Sequence, residues 1–513
     1  MQDIASAAAP TRAGLREWLG LAVLALPTLL VAADITALFM ALPQLSADLG
    51  TSGVEQLWIV DIYGFMVAGF VTTMGTLGDR IGRRRLLLAG GAAFGVGSVL
   101  AAYSISPAML IACRILLGIA GATLMPSTLA LITNMFRDAK QRGAAIAVWA
   151  TCQFAGGALG PVVGGILLEH FWWGSVFLLA VPVITVLLLA GPVVLPEYRG
   201  PDAGRLDLTS VALSLLAILP IVYGIKNLAA GTDSPTEPIA AIVAGGAFGV
   251  AFARRQLRLD HPLLNLRLFA QRPFTLVLTA LMLAGVAMAG TGLLVTQYLQ
   301  TVLGYAPAQS ALWFAPMGLA VALGTLLTPA LTRLITPKTA IAGGLALSAV
   351  GAALLAGVGS GDGPAMAVAG VTVLALGTGP LFALGTAIVV GSVPPEKAGS
   401  AASMSETANY LGGTLGMAVL GTVAATIYRQ RMAGAVPADV LGEAARRAQE
   451  TVAGVGAAAA GLPPADAAAL VQAGHDAFTG GLHAVGLISA ALFAVLAALI
   501  AGLFRPEPSA QHG

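Results

Sequence analysis

The sequence predicts an all-α integral membrane protein with fourteen transmembrane helices. Three observations support this fold class: the composition, the number of long apolar runs and the positions of the basic residues. Of 513 residues, 57% are hydrophobic and 10% are charged, whereas soluble domains average about 45–50% and about 25%. Such a chain cannot cover a water-facing surface with polar groups. Its net charge of +2 also provides no basic face for a nucleic acid.

Apolar runs long enough to cross a bilayer occur fourteen times. A helix needs about 20 predominantly apolar residues to span the hydrocarbon core. The first run is expected to be retained rather than cleaved as a signal peptide, because it is roughly 24 residues long and many further spans follow it. The expected spans are residues 18–42, 56–77, 86–105, 108–134, 143–168, 174–195, 208–229, 238–254, 274–300, 309–330, 338–358, 364–390, 400–428 and 482–504.

The basic residues indicate how these spans are oriented. Cytoplasmic loops carry an excess of Lys and Arg. With the N-terminus inside, 20 of the 26 basic residues fall in cytoplasmic segments, and four lie in one long outer segment. The other two, Arg114 and Lys226, lie within spans. We therefore expect a multi-pass protein of the bacterial cell inner membrane with both termini in the cytoplasm.

Charge and composition divide the chain into segments. The basic stretch 255–273, with "RRQLRLDHPLLNLRLF" across it, is predicted to be a cytoplasmic linker between the two bundles. The outer loop 429–481 is rich in Ala and broken by "GLPPAD", so we expect a solvated helical hairpin, with a gating lid as the alternative. The full expected order is a cytoplasmic N-terminus 1–17, a first bundle 18–195, an inserted helix pair 208–254, the linker 255–273, a second bundle 274–504 that includes the outer loop 429–481, and a cytoplasmic tail 505–513.

Three ionisable residues are predicted to share one level in the outer half of the first bundle. At 1.5 Å per residue, Asp34 lies roughly 13 Å, Asp61 roughly 8 Å and Arg114 roughly 10 Å below the outer ends of their helices. Charges at such depths are costly and are functional by default. The alternative is a static ion pair that holds the helices together.

The second bundle has one membrane-embedded acid, Glu406, with Asn409 and Tyr410 as polar companions. Glu406 lies roughly 13 Å from the cytoplasmic start of its helix. As a buried ionisable group it is expected to be functional, with a hydrogen bond to its own helix as the structural alternative.

Aromatic residues are candidates for contact with flat cations, although interfacial belts explain many aromatic residues near span ends. The cavity candidates are Trp58, Tyr63, Trp149 and Trp313. Cys113 and Cys152 lie in apolar runs, so no disulfide is expected. The five histidines show no metal-ligand spacing and no Walker loop occurs, so we expect no metal, no cofactor and no enzymatic activity.

The connection after the second span, "GTLGDRIGRRR", is more ordered than a simple positively charged loop. Its glycines permit a tight turn, its aspartate can accept from an arginine, and its arginines suit anionic headgroups. It resembles the loop 2–3 signature of the major facilitator superfamily, in which the aspartate and arginine latch the two bundles. The resemblance implies a conformational latch formed by Gly78, Asp79, Arg80, Gly82 and Arg83.

Three further stretches are similar to motifs of drug:proton antiporters in that superfamily. "LLVAADITALFMALPQL" resembles the helix 1 motif through Asp34, and "CRILLGIAGATLMPSTLALI" resembles the helix 4 motif through Arg114. Fourteen spans and "QLWIVDIYGFMVAGF" narrow the likeness to the branch of quaternary-ammonium and dye exporters. The helix 5 antiporter motif is matched through Gly156, Gly160, Pro161, Gly164 and Gly165.

The resemblance implies a fold of two six-helix bundles plus two inserted helices. It also implies a proton-coupled antiporter that exports lipophilic, often cationic drugs, dyes and antiseptics by alternating access. Protons and substrates are then expected at Asp34, Asp61, Arg114 and Glu406. The expected partners are small-molecule drugs, protons and membrane lipid, with a functional monomer. A dedicated exporter for antibiotic self-resistance is the main alternative, and a polytopic membrane enzyme or sensor is a remote one. The tenth span has no acid, which weakens the expectation of divalent cationic substrates.

Overall fold

A computed structural model describes residues 13–199, 207–230, 234–259, 262, 264, 266–391, 398–436, 442–460 and 462–503. All regular structure in these ranges is helical. The expected tail 505–513 and most of the N-terminal segment 1–17 lie outside them. The helices are α1 Leu15–Leu49, α2 Gly53–Ile81, α3 Arg83–Ala102, α4 Pro107–Met135, α5 Ala139–His170, α6 Ser175–Leu178, α7 Ala180–Val194, α8 Leu208–Ala230, α9 Thr236–Arg258, α10 Arg272–Gln297, α11 Pro307–Leu331, α12 Pro337–Leu354, α13 Ala365–Gly391, α14 Ala398–Met432, α15 Gly442–Glu450, α16 Val452–Ala459 and α17 Pro464–Leu503.

Fourteen membrane spans are present in the described part of the chain, as the sequence predicts. The sixth span combines α6 and α7, and the ninth continues from α10 through a π-helical segment, Tyr298–Val302. Helices α8 and α9 are the predicted inserted pair. The last span is α17, whose 40 residues extend about 60 Å at 1.5 Å per residue, twice the hydrocarbon thickness. It therefore projects well beyond the membrane.

The outer loop differs in layout from the expected hairpin. Its first side is two short helices, α15 and α16, whereas its second side is the first half of α17. The reason is local, because Pro464 suits a first helical turn and the Ala-rich segment after it contains no further proline before the membrane. Apolar contacts hold the loop together, with Tyr428 and Met432 of α14 packed among Val455, Leu470 and Ala477.

Turns between spans are set by capping residues and glycines. Ser52 caps α2 by accepting from the Glu55 amide at 3.3 Å, and the Glu55 carboxylate accepts from the Ser52 amide at 2.9 Å. Gly50 ends α1 at φ 63° and Gly82 joins α2 to α3 at φ 114°, backbone conformations that other residues rarely adopt. We call the two ends of the molecule the Gly50 side and the Gly82 side.

Two groups of helices enclose apolar cores. The first core is formed mainly by side chains of α1–α7, together with Leu293, Ala311 and Met417 of the second group, and two further cores are formed mainly by side chains of α10–α14 and α17. The groups meet where α2 packs against α14 and where α5 packs against α11. A Cβ placed at Gly165 on α5 would lie 2.7 Å from Ala308 Cα, so the small residue is what lets these two helices approach.

The inserted pair lies at the boundary between the two groups. α8 packs against both α2 and α14, whereas α9 packs mainly on α8. On the Gly82 side, Asp207 accepts from the Ser210 amide at 3.0 Å and from Arg255 Nη2 at 2.9 Å. Burial raises the pKa of Asp207, but the hydrogen bonds from Ser210 and Arg255 outweigh burial and leave the pKa below its usual value. This carboxylate therefore fastens the start of α8 to the end of α9.

Candidate functional site

Asp34 and Arg114 form a buried ion pair inside the first group of helices. Asp34 lies on α1 and Arg114 on α4, and Arg114 Nη1 donates to Asp34 Oδ2 at 2.7 Å. Both side chains are almost inaccessible, at 1% exposure for Arg114 and 4% for Asp34. A charged hydrogen bond of this length compensates part of the cost of removing both groups from water. The pair joins helices that are distant in sequence.

Two further contacts fix the Arg114 guanidinium. Its Nε donates to the Ile59 carbonyl at 3.2 Å, and its Cζ lies 4.4 Å from the centre of the Tyr63 ring. Gly118 and Gly121 of α4 leave room for this arrangement, because Cβ atoms there would lie 2.6 Å from the Tyr63 carbonyl oxygen and 2.8 Å from its hydroxyl. The two glycines of α4 thus leave room for Tyr63 beside the arginine.

Asp61 has a different partner. Lys226 of α8 donates to Asp61 Oδ2 at 2.7 Å, and both side chains are fully buried. The Lys226 ammonium also lies 4.3 Å from the centre of the Trp58 ring. The three charges expected at one level are therefore divided between two ion pairs. From the sequence, Lys226 could be recognised only as a basic residue within a span. Its position in an apolar helix was the signal that could have identified it as a site residue.

The other aromatic candidates are placed differently. Trp149 is buried and its Nε1 donates to Thr128 Oγ1 at 3.0 Å. Trp313, near the start of α11, is 39% exposed. Neither residue lines the cleft between the two groups of helices on the Gly50 side. Of the four aromatic candidates, Trp58 and Tyr63 contact the buried cations.

The acid of the second group, Glu406, lies on α14, but its side chain and that of Tyr410 lie outside the described structure. The surrounding turn of α14 is rich in polar groups. Three buried oxygens there lack a hydrogen-bond partner among the described residues: Ser405 Oγ, Thr407 Oγ1 and Asn409 Oδ1. Buried polar atoms without partners are costly. This turn is therefore a polar band within an otherwise apolar span.

A cleft with about 840 Å³ of empty space opens between the helix groups on the Gly50 side. We call it the Gly50-side cleft. Leu42 and Val60 of the first group and Leu294 and Tyr428 of the second line it. Part of its wall comes from the outer loop, through Glu450, Thr451 and Val452 at the α15–α16 junction and Phe478 of α17. The outer loop consequently borders the cleft.

The loop on the Gly82 side forms ion pairs within the first group of helices. Arg83 Nε donates to Asp79 Oδ1 at 2.8 Å, and Arg83 N–H donates to the Tyr198 carbonyl at 2.8 Å. Glu197, after α7, accepts from the Arg84 amide at 3.1 Å. Glu197 is a partner that the sequence did not predict. The latch between bundles stays a prediction, because these contacts tie the loop to α7.

The helix 5 motif acts through close packing. Cβ atoms at Gly156 and Gly160 would meet the Leu29 carbonyl oxygen and Thr36 Oγ1 of α1, and at Gly164 one would lie 3.1 Å from Ala37 Cβ. Three small residues, four apart, therefore let α5 lie directly on α1. Pro161, inside α5, removes one backbone donor within this contact.

Fourteen apolar helices with ion pairs buried inside a helical bundle define a polytopic membrane protein of the transporter class. The Major Facilitator Superfamily model matches residues 24–417. The chain belongs to this family, whose members are transporters.

Similar proteins include several exporters. The chain is 42% identical over 495 residues to "Multidrug efflux pump LfrA" of Mycolicibacterium smegmatis, covering 96% of this chain and 98% of LfrA. It is 34% identical to "Methyl viologen resistance protein SmvA" of Salmonella typhimurium, covering 94% of this chain and 97% of SmvA. It is 30% identical to "Tetracenomycin C resistance and export protein" of Streptomyces glaucescens, covering 96% of this chain and 93% of that protein.

Solved structures share the fold at low sequence identity. A bacterial homologue of the human lysosomal transporter Spinster, inward-facing and unoccupied, superposes with a TM-score of 0.63 at 18% identity, covering 94% of this chain and 97% of the other. The nucleoside transporter NupG superposes with a TM-score of 0.62 at 12% identity, covering 95% and 100%.

Proposed function

We propose that this protein is a proton-coupled antiporter that exports lipophilic, often cationic small molecules by alternating access. The observation that carries the proposal is the Asp34–Arg114 pair, buried between α1 and α4 with a hydrogen bond of 2.7 Å. Support also comes from the names of the relatives, which include a multidrug efflux pump and a methyl viologen resistance protein.

The proposed coupling rests on competition for carboxylates. A proton and a cationic substrate both neutralise an acid, so binding of one favours release of the other. Moving one charge across 100 mV is worth about 2.3 kcal/mol, which is comparable to the free energy of a one- to two-unit change in proton affinity, at about 1.36 kcal/mol per unit. No covalent chemistry is needed, and we do not propose an enzymatic activity.

The proposed setting is the inner membrane of a bacterial cell, with the Gly82 side and both termini in the cytoplasm. The positive-inside rule supports this orientation, since the Gly82 side holds "GDRIGRRR" and the 255–273 segment. The Gly50-side cleft then faces outward. Substrates, protons and lipid are the proposed partners of a functional monomer.

Transport of ethidium into inverted membrane vesicles tests the proposal. We expect accumulation when a proton gradient, acid inside, is imposed, and loss of accumulation when an uncoupler collapses it. Vesicles without the protein provide the background. Accumulation that persists in the presence of the uncoupler would contradict proton coupling.

A dedicated antibiotic exporter is a second candidate function, favoured by the similarity to the tetracenomycin C export protein. The two functions differ in substrate range. A panel of dyes, quaternary ammonium compounds and neutral polyketides separates them, since a dedicated exporter transports one chemical class and a multidrug exporter transports several.

A further inference from the structure

Lys226 lies in surroundings that suit an organic cation. Its ammonium is 2.7 Å from the Asp61 carboxylate and 4.3 Å from the centre of the Trp58 ring. A carboxylate beside an aromatic face is the combination that binds lipophilic cations, through charge on one side and the ring quadrupole on the other. The Lys226 side chain thus occupies a site with the chemistry of a cation-binding site.

The walls of this site are apolar and come from three helices. Phe65 of α2, Val222 of α8 and Ala418 of α14 are buried in one cluster. Asp61 Oδ1 has no hydrogen-bond partner in the described part of the chain, so half of the carboxylate remains available as an acceptor. Apolar surroundings with one incompletely hydrogen-bonded carboxylate favour a bulky, weakly hydrated cation over a strongly hydrated one.

We propose that Asp61 and Trp58 form a binding site for a monovalent organic cation, and that Lys226 is its tethered occupant, which competes with the substrate. This inference rests on the proposed export of cationic molecules and adds the residue that sets the affinity for them. An ammonium is a compact, strongly hydrated charge, whereas a delocalised aromatic cation loses less hydration on burial. Aromatic cations therefore displace Lys226 more readily than small ammonium ions do.

The position of Lys226 in α8 allows its ammonium, once displaced from Asp61, to reach water. Lys226 lies four residues from the end of α8 at Ala230, about 6 Å along the axis. A lysine stem can extend over such a distance and bring its charge to water. Trp58 is half-buried, whereas Asp61 and Lys226 are fully buried, so the Trp58 ring is the exposed part of the site. On α2 it lies next to the face whose Leu57 and Val60 line the Gly50-side cleft.

The test is cation binding to the purified protein, with Lys226→Met as the main variant. Methionine has a similar length and no charge, so removal of the competitor should tighten tetraphenylphosphonium binding about tenfold or more at constant pH, which corresponds to about 1.4 kcal/mol. Lys226→Arg keeps the charge and should bind close to the parent. Binding of an uncharged substrate should be the same in all three proteins.

Asp61 provides the second arm of the test. The double variant Lys226→Met with Asp61→Asn should lose the tighter binding, because the cation then has no carboxylate. A folded Lys226→Met protein with unchanged or weaker tetraphenylphosphonium binding would overturn the inference. Lys226 would then have only the structural role of holding α8 against α2.

Trp58→Leu keeps the inference testable if Lys226→Met does not fold, since this variant leaves the ion pair in place. It should weaken cation binding about tenfold, and unchanged affinity would equally overturn the inference. Gradient-driven ethidium transport by the parent is measured in parallel. A parent that fails to transport contradicts the proposed function, whereas a parent that transports while its variants bind cations equally contradicts only the role of Lys226.

Discussion

At the scale of single residues, the ion pairs show which charges a sequence can place and which it cannot. That Asp34 and Arg114 lie inside their spans could be read from the sequence, and the structure joins the two residues. The depth of Asp34 could not, because α1 runs to Leu49, about 15 residues or roughly 22 Å beyond Asp34 instead of the expected roughly 13 Å. The partner of Asp61 could not be read in this way. Lys226 is 165 positions away on a helix of the inserted pair, and the packing of α8 on α2 follows from tertiary contacts with no local signal.

The Asp34 carboxylate leads to the first prediction. Asp34→Asn should abolish gradient-driven ethidium transport, because an amide can neither release a proton nor balance a cation. Asp34→Glu retains the acid and should retain measurable transport. Transport in inverted vesicles is the measurement, normalised to the amount of protein in the membrane. Gradient-driven transport by the Asn variant would contradict the role of Asp34.

Stability needs a separate control for this variant. Breaking a buried pair by removing one partner costs about 3–5 kcal/mol, although Arg114 keeps its bond to the Ile59 carbonyl. Thermal unfolding of the purified variant should therefore be measured with transport. A variant that remains folded and inactive supports a role in transport, whereas an unfolded one supports only a structural role.

Glu406 leads to a second prediction at the same scale. Glu406→Gln should narrow the range of cationic substrates rather than erase transport, because Asp34 and Asp61 remain in the first group of helices. Its neighbours along α14 carry buried oxygens without a hydrogen-bond partner among the described residues: Ser405, Thr407 and Asn409. The measurement is a substrate panel combined with drug binding as a function of pH. If panel and pH profile both equal those of the parent, Glu406 is structural.

At the scale of helices, glycine spacing and helix caps decide how the spans meet. The number of spans could be predicted from apolar runs, because lipid imposes one length on every helix. The extent of α17 could not, since its outer half is Ala-rich and water-exposed, and nothing in hydropathy extends a span past the membrane. The sequence pattern also did not indicate that the outer loop forms part of the cleft wall, because this depends on how the loop packs against α14.

The α1–α5 contact leads to a prediction with a neighbouring control. A Cβ at Gly156 would meet the Leu29 carbonyl oxygen, whereas at Gly157 it would meet nothing within 4 Å. Gly156→Ala should lower the unfolding free energy by about 1–3 kcal/mol through overpacking. Gly157→Ala should be neutral or stabilising, because alanine is the better helix former. Thermal unfolding of the two purified variants compares them directly, and equal midpoints would contradict close α1–α5 packing.

At the scale of the whole molecule, the outer loop connects the two groups of helices on the Gly50 side. It is anchored to α14 and α17 by apolar contacts, yet it also approaches the first group. A Cβ at Gly53, the first residue of α2, would lie 3.8 Å from Thr451 Cγ2. Alternating access requires the groups to separate and rejoin at one side. Such a motion therefore changes the distance between the α15–α16 junction and the start of α2.

Cross-linking across this boundary leads to the last prediction. Gly53→Cys with Thr451→Cys, made with Cys113 and Cys152 replaced by Ala, should lose transport when a short thiol-reactive cross-linker joins the pair, because the groups can then no longer separate on the Gly50 side. The control is Val455→Cys with Gly474→Cys, which links α16 to α17 inside the second group, where a Cβ at Gly474 lies 3.0 Å from Val455 Cγ2. That link should leave transport intact. Cross-linking yield and ethidium uptake are measured on the same vesicles, with reductive release of a cleavable linker to recover activity. Full transport by the cross-linked Gly53–Thr451 pair would mean that the outer loop stays with both groups throughout the cycle, and that the opening motion does not separate α2 from the α15–α16 junction.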